Sequence, residues 1–193
     1  MAPVSQTTPA KETTGTVSDL RYARYAVTVL MVCYTLSFID RQILSLLIGP
    51  LKRDLGLSDT SIGLLQGLAF ALFYTILGLP LGRAVDRWNR RNLVALGVFF
   101  WSLMTALSSV AQSFGSLFLA RMGVGVGEAT LTPGAMSLIA DYVPRERLGR
   151  AMSLYSMGIF IGSGLALIVG GAVVGRSEEH TSELQSRGLI SYA

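Results

Sequence analysis

Five long apolar stretches, each bounded by polar or charged residues, dominate the chain. About 20 apolar residues in a helix cross the ~30 Å hydrocarbon core of a bilayer, so each stretch is long enough to span a membrane. The pattern predicts transmembrane helices over about 25–48, 59–85, 92–112, 117–142 and 150–174. Ser58 or Asp59 is expected to cap the second helix, and Pro133 is expected to kink the fourth.

Small residues recur one helical turn apart within these stretches. Glycines spaced in this way let helix backbones approach closely in lipid, although 21 glycines in 193 residues also produce some pairs by chance. We favour close packing as the interpretation. Thr130 and Thr132 are expected to satisfy carbonyls that Pro133 leaves unpaired. The pairs are Gly63/Gly67, Gly78/Gly82, Gly123/Gly127 and Gly158/Gly162.

The charge content supports a membrane protein. Only 15% of the residues are charged, against about 25% in a typical soluble domain. The arginines lie at the ends of apolar runs and not along one polar face, so the net charge of +4 does not indicate a nucleic-acid partner. The lipid bilayer is the expected partner. Residues 1–23 are polar, lack the apolar core of a signal peptide, and are predicted to form a disordered cytoplasmic tail.

The positive residues divide unequally between the two ends of the predicted helices. With a cytoplasmic N-terminus, ten lie inside, and only Lys52 and Arg53 lie outside. Because an excess of lysine and arginine marks the cytoplasmic side, we expect a multi-pass protein of the inner cell membrane with its N-terminus in the cytoplasm. The ten inner residues are Lys11, Arg21, Arg24, Arg83, Arg87, Arg90, Arg91, Arg145, Arg147 and Arg150.

Four ionisable residues interrupt the apolar stretches: Asp40 and Arg41 in the first, Arg121 and Glu128 in the fourth. A lone charge at the bilayer centre costs about 2.5–3.5 kcal/mol on insertion scales, so such residues face a bundle interior and pair. Counted from the outer helix ends at a rise of ~1.5 Å per residue, the two sets overlap in depth. We predict a network in which Arg41 or Arg121 neutralises Glu128, with Asp40 nearby.

This network is interpreted as the site that handles substrate and protons, because intramembrane ionisable residues commonly mark transport pathways. A buried carboxylate beside a movable arginine can couple protonation to conformation. A static charge cluster that only positions helices is the alternative. Polar residues that could line the same cavity are Tyr34, Gln42, Gln66 and Tyr74.

The stretch 82–91 holds four arginines and one aspartate between the second and third helices. It resembles the signature loop of the major facilitator superfamily, Gly-x-x-x-Asp-Arg-x-Gly-Arg-Arg. Arginines that merely fixed the topology would need neither the aspartate nor the glycine. Asn89 replaces the second glycine and is expected to tolerate a left-handed turn. The matching residues, which the resemblance implies form a cytoplasmic gate, are Gly82, Asp86, Arg87, Arg90 and Arg91.

The segments 38–42, 121–129 and 141–147 resemble the spinster-like branch of this superfamily, which includes lysolipid and sphingolipid-type transporters. The resemblance covers about residues 22–175. It implies an all-α membrane protein built from two six-helix halves, each made of inverted three-helix repeats. Residues 24–175 are then expected to be a partial major-facilitator fold with five transmembrane helices of the N-terminal six-helix half. Helix 6 and the C-terminal half would be missing, and this fragment alone is not expected to transport.

The resemblance implies a proton-coupled secondary transporter for a small organic or lipid-like solute, anionic or amphipathic. Two alternatives stay open: a membrane sensor or scaffold that does not transport, and a facilitative lipid carrier without proton coupling. Charges at 141–150 are interpreted equally well as a second gate or as plain surface charge.

Other chemistry lacks support in the sequence. The glycines at 123, 125 and 127 lie in an apolar span and do not form a dinucleotide fingerprint, and a Walker lysine motif is not found. Cys33 and His180 do not form a metal-ligand set. We therefore expect neither enzymatic activity nor a cofactor or metal.

The composition changes abruptly at Arg176. Residues 176–186 and 190–193 resemble the in-frame translation of a common sequencing adapter, and 187–189 would correspond to its variable barcode. We therefore expect 176–193, with His180, to be an adapter-derived, non-native tail; a natural polar tail is the alternative.

Overall fold

The computed structural model describes residues 17–186, and the described part of the chain is helical without a β-strand. The all-α fold class is therefore confirmed. The elements are α1 (Val17–Leu46), α2 (Ile48–Leu55), α3 (Asp59–Gly63), a π-helical turn (Leu64–Leu68), α4 (Ala69–Arg87), α5 (Arg90–Ser109), α6 (Phe114–Glu128), α7 (Leu131–Tyr142) and α8 (Arg145–Ser186).

The first helix starts earlier than the apolar pattern predicts. Residues 17–23 belong to α1, so the expectation of disorder over 1–23 is wrong for them; residues 1–16 lie outside the described part. The physical reason is that Leu20, Ala23 and Val27 share one helical face. Ala23 and Val27 are 4% and 3% exposed, so one face of this mostly polar segment is buried in the bundle.

A short helix that the sequence analysis did not predict follows α1. The first helix ends at Leu46, and α2 places Pro50 in its first turn, where a missing N–H does not break a hydrogen bond. Leu51 and Leu55 pack against the buried cluster of Ile62, Leu65 and Leu117. Gly56, with φ +60°, ends α2.

The second span runs from Asp59 to Val85 through α3, the π-helical turn and α4. Ser58 caps it: its hydroxyl accepts a hydrogen bond from the Ser61 amide at 3.2 Å. The π-helical turn widens the helix locally around Gln66, a distortion that often accompanies functional sites.

The fourth predicted helix is divided in two. α6 has 15 residues and α7 has 12, so four described helices, not five, are individually long and apolar enough to cross a membrane. The break falls at Ala129 and Thr130, just before Pro133, and the Thr130 hydroxyl donates to the Gly127 carbonyl at 2.9 Å. Thr132 instead approaches a tyrosine on α4. Ala129 and Thr130 both keep right-handed helical φ and ψ, so the distortion expected near Pro133 is a local break in the regular hydrogen-bond ladder between two helical segments.

The last helix begins at Arg145, directly after Pro144, and continues to Ser186 instead of ending near 174. Its candidate membrane span is Arg145–Val173. The origin of 176–193 from an adapter stays a prediction, and 187–193 lie outside the described residues.

The helices form one bundle. α1 packs along α8, while α6 packs against both α4 and α5, and α7 fills the space between α1 and α5. Val27, Trp101, Val124, Ile139 and Tyr155 form the centre of the core. Large apolar side chains such as Phe160 and Ile168 are 78% and 71% exposed, which suits a surface covered by acyl chains or by further helices of a longer protein.

Two of the four glycine pairs lie at close helix contacts. A Cβ added to Gly162 would lie 2.5 Å from the Thr35 carbonyl oxygen, and one added to Gly127 would lie 2.8 Å from the Gly97 carbonyl oxygen. The partners Gly158 and Gly123 are similarly enclosed. The pairs Gly63/Gly67 and Gly78/Gly82 have no described heavy atom within 4 Å of an added Cβ, so close packing is not observed for them.

These contacts predict that Gly162→Ala destabilises the α1–α8 interface by about 1–3 kcal/mol, because the methyl group cannot fit against α1. Gly164→Ala is the matched control, since the space around Gly164 is open and alanine is the better helix former by about 1 kcal/mol. Thermal unfolding in detergent should give a lower midpoint for Gly162→Ala only. Equal midpoints for both variants would contradict the close contact.

Candidate functional site

An ion pair between α1 and α6 lies in the bundle interior. The Arg41 Nε donates to Glu128 Oε2 at 2.8 Å, and Nη2 donates to the same oxygen at 2.5 Å. The Glu128 side chain is 0% exposed, whereas the Arg41 side chain is 28% exposed. The carboxylate is therefore enclosed, while its arginine partner reaches an open side of the bundle.

A second ion pair joins the same two helices. Arg121 Nη1 donates to Asp40 Oδ2 at 3.1 Å, with side-chain exposures of 6% and 15%. The structure thus brings all four intramembrane charges together as two pairs, and Arg41 takes Glu128. We call these four residues the central network. Two positive and two negative groups face one another, which offsets the cost of placing them within a membrane span.

The helix geometry explains why these residues meet. Arg121 and Glu128 are seven residues apart on α6, so they share one face about 10 Å apart along the helix axis. Asp40 and Arg41 are consecutive on α1, and each of them reaches one α6 partner. Gly125 lies between the α6 charges, where a Cβ would lie 2.9 Å from the Phe70 carbonyl oxygen. Glycine at this position therefore brings α4 against the network.

Three aromatic rings surround the Arg41 guanidinium. Its central carbon lies 5.0 Å from the ring centroid of Phe38, 4.6 Å from that of Phe70 and 5.5 Å from that of Tyr74. These distances are within the range of cation–π attraction. The sequence analysis missed Phe38 and Phe70. Phe38 lies three residues before Arg41 on α1, and Phe70 lies four residues before Tyr74 on α4. Residues spaced in this way share a helical face, which could have identified both.

The four residues predicted to line the cavity have different surroundings. Tyr74 faces Arg41, and its hydroxyl lies 3.4 Å from Thr132 Oγ1. Tyr34 stacks on Tyr155, with ring centroids 4.5 Å apart.

The two glutamines lie apart from the ion pairs. The Gln66 amide donates to Ser45 Oγ at 3.2 Å. Gln42 is half-buried, and within the described residues its side chain makes no hydrogen bond. Of the four, Tyr74 is the residue for which a contact with the central network is observed in the described part of the chain.

Several buried polar atoms of the central network and its neighbours keep unused hydrogen-bonding capacity. Glu128 Oε1, Arg121 Nε and Ser37 Oγ have no hydrogen-bond partner among the residues that the structure describes. Buried polar groups of this kind are usually paired, so unpaired ones point to a functional role or to a bound polar group. Glu128 can therefore accept a further hydrogen bond or a proton at Oε1 while Oε2 holds Arg41.

The signature stretch lies at the end of the bundle that carries the start of α1, which we call the basic end. Arg90 pairs with Asp141 at the end of α7. Arg87 and Arg91 are exposed, Gly82 has open space around it, and the Asp86 side chain lies outside the description. Asp141 is therefore bound by the signature stretch. It is not bound by the arginines that follow it, Arg145, Arg147 and Arg150.

The expectation for Asn89 is wrong. Its φ is −66° and its ψ is 105°, so it is not left-handed. Its side-chain oxygen accepts from the Asn92 amide at 3.4 Å and caps α5. Asparagine is favoured here because its short side chain reaches the first unpaired amides of the helix.

Comparison with known proteins agrees with this architecture. Residues 30–178 match the model of the Major Facilitator Superfamily. The chain is 38% identical over 152 residues to an MFS-type efflux pump of Mycolicibacterium smegmatis, covering 78% of this chain and 35% of that protein. It is 34% identical over 169 residues to human protein spinster homolog 1, covering 86% of this chain and 32% of that protein.

A solved structure is similar as well. The crystal structure of a bacterial homolog to the human lysosomal transporter spinster, in an inward-facing and occupied conformation, superposes with a TM-score of 0.77 at 41% identity. The match covers 87% of this chain and 36% of that one. The chain thus spans about a third of the length of the curated relatives it matches.

The helical bundle, the paired intramembrane charges and these matches define a multi-pass membrane protein. The chain belongs to the major facilitator superfamily, a family of membrane transporters. Within that superfamily it falls in the spinster-like branch.

The pairing predicts a specific pattern of energetic coupling. Double-mutant cycles on thermal stability should give about 0.5–3 kcal/mol of coupling for Asp40→Asn with Arg121→Gln, and for Arg41→Gln with Glu128→Gln. The comparison cycle combines Arg121→Gln with Glu128→Gln, which are about 10 Å apart on one helix and do not pair, so its coupling should be the weaker. Stronger coupling in the comparison cycle than in the matched ones would show that the pairs are assigned incorrectly.

Proposed function

We propose that this chain forms the first part of a proton-coupled secondary transporter, with the central network as its substrate- and proton-handling site. The observation that carries the proposal is the fully enclosed Glu128, held by a partly exposed Arg41. Membership of a transporter family and the similarity to an occupied spinster structure support it. Since the chain spans about a third of its relatives, the remaining helices would come from the rest of a longer protein.

The charge of the central network supports a coupling mechanism. With Glu128 ionised, the two acids and two arginines sum to zero. A proton on Glu128 neutralises it and leaves Arg41 without a counter-charge, so the site gains one net positive charge. An anionic substrate group can then replace Glu128 as the partner of Arg41. Binding of proton and substrate would thereby favour each other.

The surroundings of Arg41 support an amphipathic substrate. The guanidinium offers charge-assisted hydrogen bonds to a carboxylate or phosphate. Phe38, Phe70 and Tyr74 supply apolar surface next to it. A small organic anion with an apolar part, or a lipid-like anion, fits both features.

The orientation is part of the proposal. The basic end would face the cytoplasm, with the protein in the inner cell membrane, since the arginines at the helix ends follow the positive-inside pattern.

Glu128→Gln tests the proton-coupling proposal. The intact transporter, reconstituted in liposomes with an imposed pH gradient, should lose proton-driven accumulation, because the amide cannot titrate. A radiolabelled lysophospholipid and a six-carbon sugar acid serve as lipid-like and small anionic probes. Glu146→Gln is the matched control: it makes the same chemical change at an exposed position of α8 and should leave accumulation unchanged.

The outcomes separate the candidate functions. Flux of a probe whose pH dependence survives Glu128→Gln would favour a facilitative carrier and overturn proton coupling. Binding of a probe without flux in the unmodified protein would favour a sensor or scaffold.

The pair between Arg90 and Asp141 is proposed to act as the cytoplasmic gate with the other signature residues. Arg90→Gln and Asp141→Asn should then change the transport rate to a similar extent, whereas the exchange Arg90→Asp with Asp141→Arg should restore it partly. Arg53→Gln, which removes an exposed arginine on α2 outside the signature stretch, is the control. A surface ion pair contributes about 0–1 kcal/mol, so thermal stability should barely change. Unchanged transport in both single variants would identify plain surface charge.

A further inference from the structure

A cleft of about 450 Å³ lies at the basic end, between the first turns of α1 and the start of α8. It is separate from the central network: Arg24, which lines it, precedes Arg41 by 17 residues of one helix, or about 25 Å. Neither the pairing of the intramembrane charges nor the signature stretch accounts for it.

Three arginines from two helices converge on this cleft. Arg24 comes from α1, and Arg147 and Arg150 come from the first turns of α8. Within the described residues, none of the three forms an ion pair. Asp141, the carboxylate at the end of α7, is engaged by Arg90 instead. The cleft therefore presents concentrated positive charge to a ligand.

The remaining wall of the cleft is largely apolar. Leu20, Val27, Val143, Ala151 and Leu154 line it, and Val27 belongs to the buried core. A free inorganic anion would gain nothing from such a wall. A molecule that carries a phosphate directly next to hydrocarbon would use both parts of the cleft.

The position of the cleft along the bundle matches the headgroup layer of a membrane. It lies where the candidate spans Leu20–Leu46 and Arg145–Val173 begin. Tyr22 and Tyr25, beside Arg24, are 45% and 67% exposed. Exposed tyrosines at the ends of membrane spans sit at the level of the lipid headgroups.

We propose that this cleft binds the headgroup phosphate of an anionic membrane phospholipid, with the glycerol and upper acyl chain against the apolar wall. Basic pockets between transmembrane helices have this affinity because each arginine near the surface contributes about 1 kcal/mol. The proposal does not depend on proton coupling at Glu128, so either can fail without the other.

The test is native mass spectrometry of the delipidated intact transporter, titrated with phosphatidylglycerol, phosphatidylcholine or inorganic phosphate. One phosphatidylglycerol should bind more tightly than phosphatidylcholine. Arg147→Gln and Arg150→Gln should each weaken it about fivefold, which corresponds to about 1 kcal/mol per arginine. Arg145→Gln is the matched control, since it removes the same charge from the same helix end but does not line the cleft.

A second variant tests the apolar wall without changing charge. Thr28→Trp fills the cleft from an exposed position on α1 and should abolish the tight phosphatidylglycerol adduct. Leu154→Trp, from the α8 wall, serves the same purpose if Thr28→Trp does not fold. Thermal unfolding verifies that each variant is intact.

Three results would overturn the proposal. An equal effect of Arg145→Gln would show unspecific surface charge, and retention of phosphatidylglycerol by both folded tryptophan variants would show binding outside the cleft. Displacement of the lipid by a tenfold excess of inorganic phosphate would show a site for free anions.

Discussion

The cost of placing ionised side chains within lipid-crossing helices governs this bundle. Four such residues are tolerated because each finds a counter-charge on the neighbouring helix: Arg41 with Glu128, and Asp40 with Arg121. Breaking a buried pair leaves an uncompensated charge and is far more costly than the net value of the pair itself. The two pairs therefore constrain the rotation and depth of α1 relative to α6.

Close backbone approach brings α4 against α6 and α8 against α1. Gly125 lets α4 approach α6, which brings the Phe70 and Tyr74 rings to the Arg41 guanidinium. Gly162 similarly lets α8 lie against α1. A Cβ at Gly125 or Gly162 would lie 2.9 or 2.5 Å from a backbone oxygen of the facing helix, so a larger residue would force the helices apart. In a membrane, where apolar burial between helices gives little driving force, such contacts and the polar pairs together supply the specificity.

The sequence alone predicted the features that follow from composition and from the cost of removing charged groups from water. It predicted an all-helical bundle and the convergence of Asp40 with Glu128, because unpaired charge in lipid is costly. It could not decide which arginine takes Glu128, since that depends on helix rotation set by packing. The sequence analysis missed α2. A proline such as Pro50 usually marks the end of a helix, but it is equally compatible with the first turn of a new helix.

Asn89 and the interrupted fourth helix show the same limit. For Asn89, left-handed tolerance and helix capping are both properties of the residue, and only the backbone decides between them. Pro133 removes one backbone hydrogen bond, but the effect on the helix depends on which nearby donors can bond the carbonyl groups in its place. Here Thr130 bonds the Gly127 carbonyl through both its amide and its hydroxyl, which breaks the regular ladder while the backbone stays helical.

The helix α7 connects the two charged regions of the molecule. Glu128 is the last residue of α6, and Asp141 is the penultimate residue of α7. The α7 helix, 12 residues or about 18 Å long, therefore begins beside the central network and ends at the pair with Arg90. An α7 that moved as one body would therefore displace Asp141 whenever its Glu128 end moved.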